Sequence, residues 1–169
     1  KIIQIKKNEG IVKKIGFSIY NPKELDLLWP SFRPDIIQAP FNILDRRLKS
    51  SGWLKKLNEN NVEVQARSIF LQGLLLMNPI KRNKLFYKWQ NIWSIFDSWL
   101  AANNITDIEA TLGFALSEKN INCLVLGIES KEQLNQIISI SSNTFKMKFP
   151  KSLSINDLNL IEPKNWPKL

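Results

Sequence analysis

Residues 35–47 read DIIQAPFNILDRR. Ile36, Ile37, Ala39 and Phe41 make a short apolar strand, predicted over 35–41, although Pro40 removes a ladder donor near its end. Gln38 sets an amide inside that strand, and an amide in apolar surroundings needs a partner. Asn42 follows at once, where its side chain can tie down a turn or reach a ligand. Working outward, the preceding stretch 11–20 reads as another strand, with Gly16 at a point of close backbone approach. Residues 21–22 can start a helix with Leu25, Leu27, Leu28 and Trp29 as its apolar surface, and Pro30 and Pro34 stop it. Before all of these, IIQIKK reads as the tail of a helix, turned at residues 8–10.

Downstream the alternation continues. A helix is predicted over 52–60, with Trp53, Leu54 and Leu57 facing inward, and a third strand over 62–70. LQGLLLMNP then reads as a loop or short helix over one end of a sheet. Leu85, Phe86, Trp89, Ile92, Trp93, Phe96, Trp99 and Leu100 recur at helical spacing, so 83–100 is expected to be one helix packed through that stripe. Thr106 and Glu109 have capping-box spacing and open a helix carrying Ala110, Leu112, Phe114, Ala115 and Leu116. A fourth strand is expected over 121–126, a turn over 127–130 and an amphipathic helix at KEQLNQIISI. Pro150, Pro163 and Pro167 punctuate a tail with a short helix near 154–160, packed on the body. Four strand–helix units imply parallel strands covered by helices, which fits an open sheet or part of a barrel.

Composition narrows the chemistry. The chain has no histidine, which excludes an internal Ser-His-Asp triad, a catalytic histidine pair and histidine-based metal ligation. Its one cysteine, Cys123, excludes a multi-cysteine zinc site and an intrachain disulfide. The surroundings NINCLVLG predict a buried thiol, consistent with a reducing, cytoplasmic setting. The most concentrated apolar run, FLQGLLLM at 70–77, is far below the roughly 18–20 residues a membrane span requires, so no membrane partner is expected. Net charge is +9, from 24 Lys and Arg against 15 Asp and Glu. The cations are scattered over Lys13 and Lys14, Arg46 and Arg47, Lys55 and Lys56, and Lys81, Arg82 and Lys84, without a complete nucleic-acid motif. They read mainly as solvated surface. A noncatalytic interaction module or a basic nucleic-acid-binding protein is the alternative reading, and a basic rim would also attract a dinucleotide phosphate. Because the first residue is Lys1, further residues are expected upstream.

Four phrases, in order, choose between sheet and barrel. KKIGFSIY (13–20), DIIQAPFNILDRR (35–47), VEVQARSIFLQGLLL (62–76) and INCLVLGIESKEQLNQII (121–138) resemble the fifth to eighth strand units of aldo-keto reductases. The resemblance implies an α/β fold that is half of a (β/α)8 TIM barrel, four parallel strands with covering helices. Residues 1–169 would then be the C-terminal half of such a barrel, incomplete as a native domain. Its expected partners are the N-terminal half or another copy, through open strand edges, and a small carbonyl substrate in the intact enzyme. The LDRR and SIFLQGLLL phrases resemble bacterial members associated with surface-carbohydrate pathways.

The resemblance also assigns roles around NAD(P)H. Ser18 and Gln38 match positions that hold the nicotinamide carboxamide, although Ile19 stands where the family has asparagine. A local backbone bond is the plainer role for Ser18. Arg67 stands where an aromatic platform is usual; it can stack or bind an anion, or join an internal salt bridge. Ser68 keeps a family serine near phosphate or backbone. Gly73 lets the loop approach a pyrophosphate. Gly127 and Ser130 form the phosphate-facing turn, with helix capping as the plainer role for Ser130. Gln133 reaches the adenosine, although Ile137 replaces a later asparagine. Glu129 opposes an extra ribose phosphate and Lys131 offsets it, so the choice between NADH and NADPH stays open. The tyrosine, lysine, aspartate and histidine of the family's proton transfer belong to its first four units. Neither Tyr20 nor Tyr87 matches that tyrosine, so no catalytic residue is expected here, and carbonyl reduction or alcohol oxidation is expected of the intact parent.

Overall fold

The structure, a computed structural model, describes residues 2–142 and 147–166. Four strands run parallel in sequence order: β1 (Gly16–Ser18), β2 (Ile36–Pro40), β3 (Glu63–Arg67) and β4 (Cys123–Leu124). Helices precede, connect or follow them: α1 (Ile2–Asn8), α2 (Lys23–Leu28), α3 (Arg47–Ser50), α4 (Trp53–Glu59), α5 (Gln90–Asn103), α6 (Asp107–Leu116), α7 (Lys131–Ser141) and α8 (Leu158–Ile161). Since each crossover returns the chain to the same end of the sheet, all four strand C-termini share one rim.

The period-2 alternation gives the sheet two unlike faces. Ile37 and Ala39 of β2 and Val64 and Ala66 of β3 are buried in the core, beneath helices that contribute Leu25, Leu54, Leu57, Phe96 and Leu112. On the other face Ser18, Gln38, Gln65 and Cys123 stand in one register row and stay half-exposed or exposed. The expectation of a buried thiol is therefore wrong. Cys123 is exposed because its parity puts it on the uncovered face of an edge strand.

Gly16 has the close approach its sequence position suggested. A Cβ there would lie 1.7 Å from the Ile36 carbonyl oxygen, so only glycine fits the β1–β2 pairing. Strands are shorter than predicted: 11–20 contracts to Gly16–Ser18, 62–70 to Glu63–Arg67 and 121–126 to Cys123–Leu124. Beyond those limits Ile19 and Val125 each still donate one backbone N–H to the adjacent strand, to the Gln38 and Ala66 carbonyls at 2.9 and 2.8 Å, and the other apolar residues lie in loops. The helix expected over 83–100 divides. Lys84–Trp89 is a 3-10 segment begun by the Asn83 side chain, which accepts from Leu85 N–H, and the α-helix runs only from Gln90. Its stripe still packs, with Phe86, Trp89, Trp93 and Phe96 buried. The capping box at Thr106 and Glu109 is present in both directions. The short helix α3 was not anticipated; Leu48 is its buried apolar anchor.

The tail docks as a strap. Arg46 Nη2 donates to the Pro150 carbonyl at 2.7 Å, Ile155 N–H to the Leu44 carbonyl at 3.0 Å, and Trp89 Nε1 to Asp157 at 2.9 Å. Leu153, Leu160 and Ile161 fill the core beneath it. Pro167 lies outside the described residues. Among the strap's described residues the one buried charge is Glu162, which accepts from Arg47 Nη1 at 2.9 Å. Arg47 also forks onto Asp45, Nε to Oδ1 at 2.9 Å and Nη2 to Oδ2 at 2.8 Å. Burial pushes the Glu162 carboxyl up, but the bonds from Lys164 and Arg47 outweigh it and hold the group below the usual glutamate range.

Two outcomes follow. Gly16→Ala should destabilise the fold by about 2–3 kcal/mol, because the obstacle is backbone rather than a side chain that can yield; chemical denaturation measures this. Glu162 has a folded-state value below its unfolded one, so its contribution is complete at neutral pH and drains away as acid carries the solution through the folded value. Glu162→Gln should cost roughly 2–4 kcal/mol at pH 7. The gap to the parent should close as denaturation is repeated at progressively lower pH.

Candidate functional site

At the strand C-termini the exposed sheet row becomes a chain of weak polar contacts. Ser18 Oγ donates to Gln38 Oε1 at 3.4 Å, and Gln38 Nε2 donates to Gln65 Oε1 at 3.4 Å. These bonds are long, so the Gln38 amide is partnered without being saturated. Ser18 makes this side-chain contact, not the backbone bond that was its plainer reading. Gln65 completes the row and was not singled out in the sequence. The Gln38 alternation, repeated one strand later, was the available signal.

The loop after β3 is contorted. Ser68, Leu71 and Gln72 have φ of 60°, 47° and 54°, and Gly73 has 79°. Three left-handed residues with side chains within five positions are uncommon and mark a segment held by its surroundings. Asn42 supplies one restraint. Its Oδ1 accepts from Leu44 and Asp45 N–H at 3.0 and 2.8 Å, and its Nδ2 donates to the Ser68 carbonyl at 3.0 Å. Asn42 is fully buried, so it ties the turn after β2 to the loop after β3.

That loop faces the turn between β4 and α7 across a cavity of about 490 Å³. Ser68, Gly73, Gly127 and Gln133, drawn from two phrases far apart in sequence, line it together with Gln72 and Glu129. Gly127 adds no side chain, and a Cβ there would meet nothing within 4 Å, so its backbone is open to the cavity. Ser130 is the N-cap of α7, its Oγ accepting from Gln133 N–H at 3.1 Å. The Gln133 side chain turns back, and its Oε1 accepts from Glu129 N–H at 2.8 Å. Capping thus occupies Ser130, while Gln133 braces the turn through Oε1 and its Nε2 donates to none of the described residues.

Arg67 joins the two parts of the rim. Its Nη2 donates to the Ile19 carbonyl at 3.0 Å and its Nη1 to Ser68 Oγ at 3.3 Å. No carboxylate among the described residues pairs with it, so an internal salt bridge is not its role. Its guanidinium lies 4.5 Å from the Tyr20 ring centroid, and Lys164 approaches the same ring at 5.0 Å. This stack was not legible in the sequence, because Tyr20 and Arg67 meet only when β1 and β3 share a rim. The rim therefore holds amides and a hydroxyl beside β1 and β2, the guanidinium of Arg67 at the end of β3, and toward β4 a cavity whose one charged lining residue is Glu129. Such a set can hydrogen-bond an elongated polar ligand laid along the rim. Among the described residues no group of three or more His, Cys, Asp or Glu could hold a metal ion, and no helix is long and apolar enough to cross a membrane.

Comparison with known proteins agrees with the topology. No curated protein matches the sequence. Among solved structures, aldo-keto reductase AKR11C1 from Bacillus halodurans in its apo form superposes with a TM-score of 0.68 at 20% identity, over 83% of this chain and 49% of that one. Its holo form gives 0.69 at 20% identity, over 83% and 48%. The thermostable aldo-keto reductase Tm1743, in complex with the inhibitor epalrestat, gives 0.57 at 16% identity, over 89% and 49%. At these identities the likeness is one of fold, and the chain spans about half the length of the structures it matches. The model of the aldo/keto reductase family matches residues 1–154, nearly the whole sequence. The chain belongs to the aldo/keto reductase family.

Proposed function

We propose that this chain is the C-terminal half of a (β/α)8 barrel, its fifth to eighth units, and that the intact protein interconverts a small carbonyl compound and its alcohol with NAD(P)H. The observation that carries this reading is the cavity where Ser68, Gly73, Gly127 and Gln133 meet, at the rim that also bears Ser18 and Gln38. Bound NAD(P)H supplies the two-electron reduction of a carbonyl carbon. Ser18 and Gln38 hold the nicotinamide carboxamide and so fix which face of the ring meets substrate. The backbone at Gly73 and Gly127 admits the pyrophosphate, Arg67 offsets its charge, and Gln133 takes the adenosine end. These residues bind and orient. Proton transfer belongs to the preceding units, because no residue here matches the family's tyrosine.

The uncovered sheet face and the open edges of β1 and β4 suit completion by the other barrel half, or by another copy of the chain. The LDRR and SIFLQGLLL phrases support a carbohydrate-linked carbonyl as substrate and a bacterial surface-carbohydrate pathway as setting. The reducing cytoplasm is the compartment this chemistry suits.

Titrating the intact protein with NADH and NADPH, followed by tryptophan fluorescence, tests the reading. Saturable binding of at least one is expected. Gln38→Ala should weaken it about fivefold to tenfold, as expected for one partly exposed hydrogen bond. Absence of saturation with either dinucleotide would remove the reading.

A further inference from the structure

The basic run Lys81, Arg82 and Lys84 takes no part in the dinucleotide rim. Arg82 is buried, and its guanidinium lies 4.7 Å from the Trp93 ring centroid. Nη1 and Nη2 fork onto Asp97 at 2.7 and 2.6 Å. That fork uses two of a guanidinium's five N–H donors. The others have no acceptor among the described residues, where Nε is the one buried side-chain polar atom without a partner. A guanidinium has a second donor edge, Nε with one Nη, and here that edge is unmet. Burying such a donor is costly, so its position marks where an acceptor is missing.

Arg82 and Asp97 line a cavity of about 450 Å³ beside the 3-10 segment Lys84–Trp89 and helix α5. It shares no lining residue with the cavity between the β3 loop and the β4–α7 turn. Tyr87, Gln90 and Ser94 add a phenol, an amide and a hydroxyl, none of them hydrogen-bonded within the described residues. Each can donate. Gln90 also opens α5, whose N-cap Trp89 supplies no side-chain bond, so the positive end of that helix lies at the same wall. Asp97 is the wall's one carboxylate, and Arg82 already meets both of its oxygens. Lys81 and Lys84 flank Arg82, exposed and without an ion-pair partner among the described residues. The local field favours an anion.

We propose that this cavity is a second ligand site, one that takes an organic carboxylate. The two carboxylate oxygens meet the unfilled edge of Arg82, Ser94 and Gln90 donate from α5, and the apolar body lies against Tyr87. A planar two-oxygen group matches a planar fork, and a bare tetrahedral anion would leave the aromatic wall uncovered. The volume suits a small-molecule ligand. Tyr87 and Gln90 are exposed, so they can turn to admit the ligand to Nε, which is shut off from bulk water. The assignment does not depend on the dinucleotide reading.

Titration of the intact protein with sodium benzoate, followed by two-dimensional NMR, tests the site. The Trp93 indole and Gln90 side-chain amide signals should shift saturably, with a Kd on the order of millimolar for so small a probe. Benzamide, its neutral isostere, should bind about tenfold more weakly or worse, and inorganic phosphate should bind more weakly than benzoate. Ser94→Glu places a like charge on the wall at an exposed helix position and should weaken benzoate about tenfold or more, with the melting temperature and the NADH titration unchanged. Ser94→Ala, the milder change, should weaken it about threefold. Equal binding of benzoate and benzamide, tighter phosphate, no saturable shift at those two signals, or an unchanged Kd in both Ser94 variants would each overturn the proposal. Loss of NADH binding in a folded Ser94→Glu protein would overturn the separation of the two sites.

Discussion

Parallel pairing of sequential strands constrains everything else in this molecule. A parallel neighbour can be reached only by carrying the chain back along the sheet, so each strand brings a helix, and every strand ends on the same side. The helices supply the apolar cover that Ile37, Ala39, Val64 and Ala66 need. The shared exit supplies the rim on which Ser18, Gln38, Arg67 and Gly127 stand. Core and site are two results of one geometric rule. Gly16 shows how tightly it is applied, since even a methyl group would collide with the carbonyl of the adjacent strand.

The two faces of the sheet divide stability from recognition. The covered face is aliphatic and aromatic, closed by pairs such as Phe41 stacked on Phe114 at 5.2 Å. The opposite face carries a hydroxyl, two amides and a thiol in one register row, groups that would be expensive to leave unpaired in an ordinary core. A face with this composition is suited to water, ligand or another polar layer. Its long hydrogen bonds leave the amides free to change partners.

Much of the architecture is readable in the residues, because it depends on local chemistry. The positions of the four strands, the glycine at β1, the Thr106–Glu109 cap and the buried tryptophan stripe all follow from spacing and side-chain type. The limits of the strands do not. Apolar residues at 11–15 look like strand, yet a ladder extends only as far as its neighbour, and β1 has one neighbour. Cys123 misleads for a related reason. Its apolar surroundings suggest burial, but in a two-residue edge strand its parity points it to the uncovered face. At the site, Gly73, Gly127, Ser130 and Gln133 were legible from turn and cap chemistry together with family resemblance. The Arg67–Tyr20 stack and the Asn42–Ser68 tie were not, because each joins residues more than twenty positions apart.

The Arg47–Glu162 pair spans 115 positions, so the arginine is made long before its distal counterion. During synthesis the sheet and its first helices can assemble while that guanidinium has Asp45 as its counterion and the Tyr20 carbonyl as a further acceptor. The strap can therefore fasten only after the sheet it covers has been made. A tail that peels away would expose the apolar seat of Leu160 and Ile161, a surface that quality-control chaperones recognise.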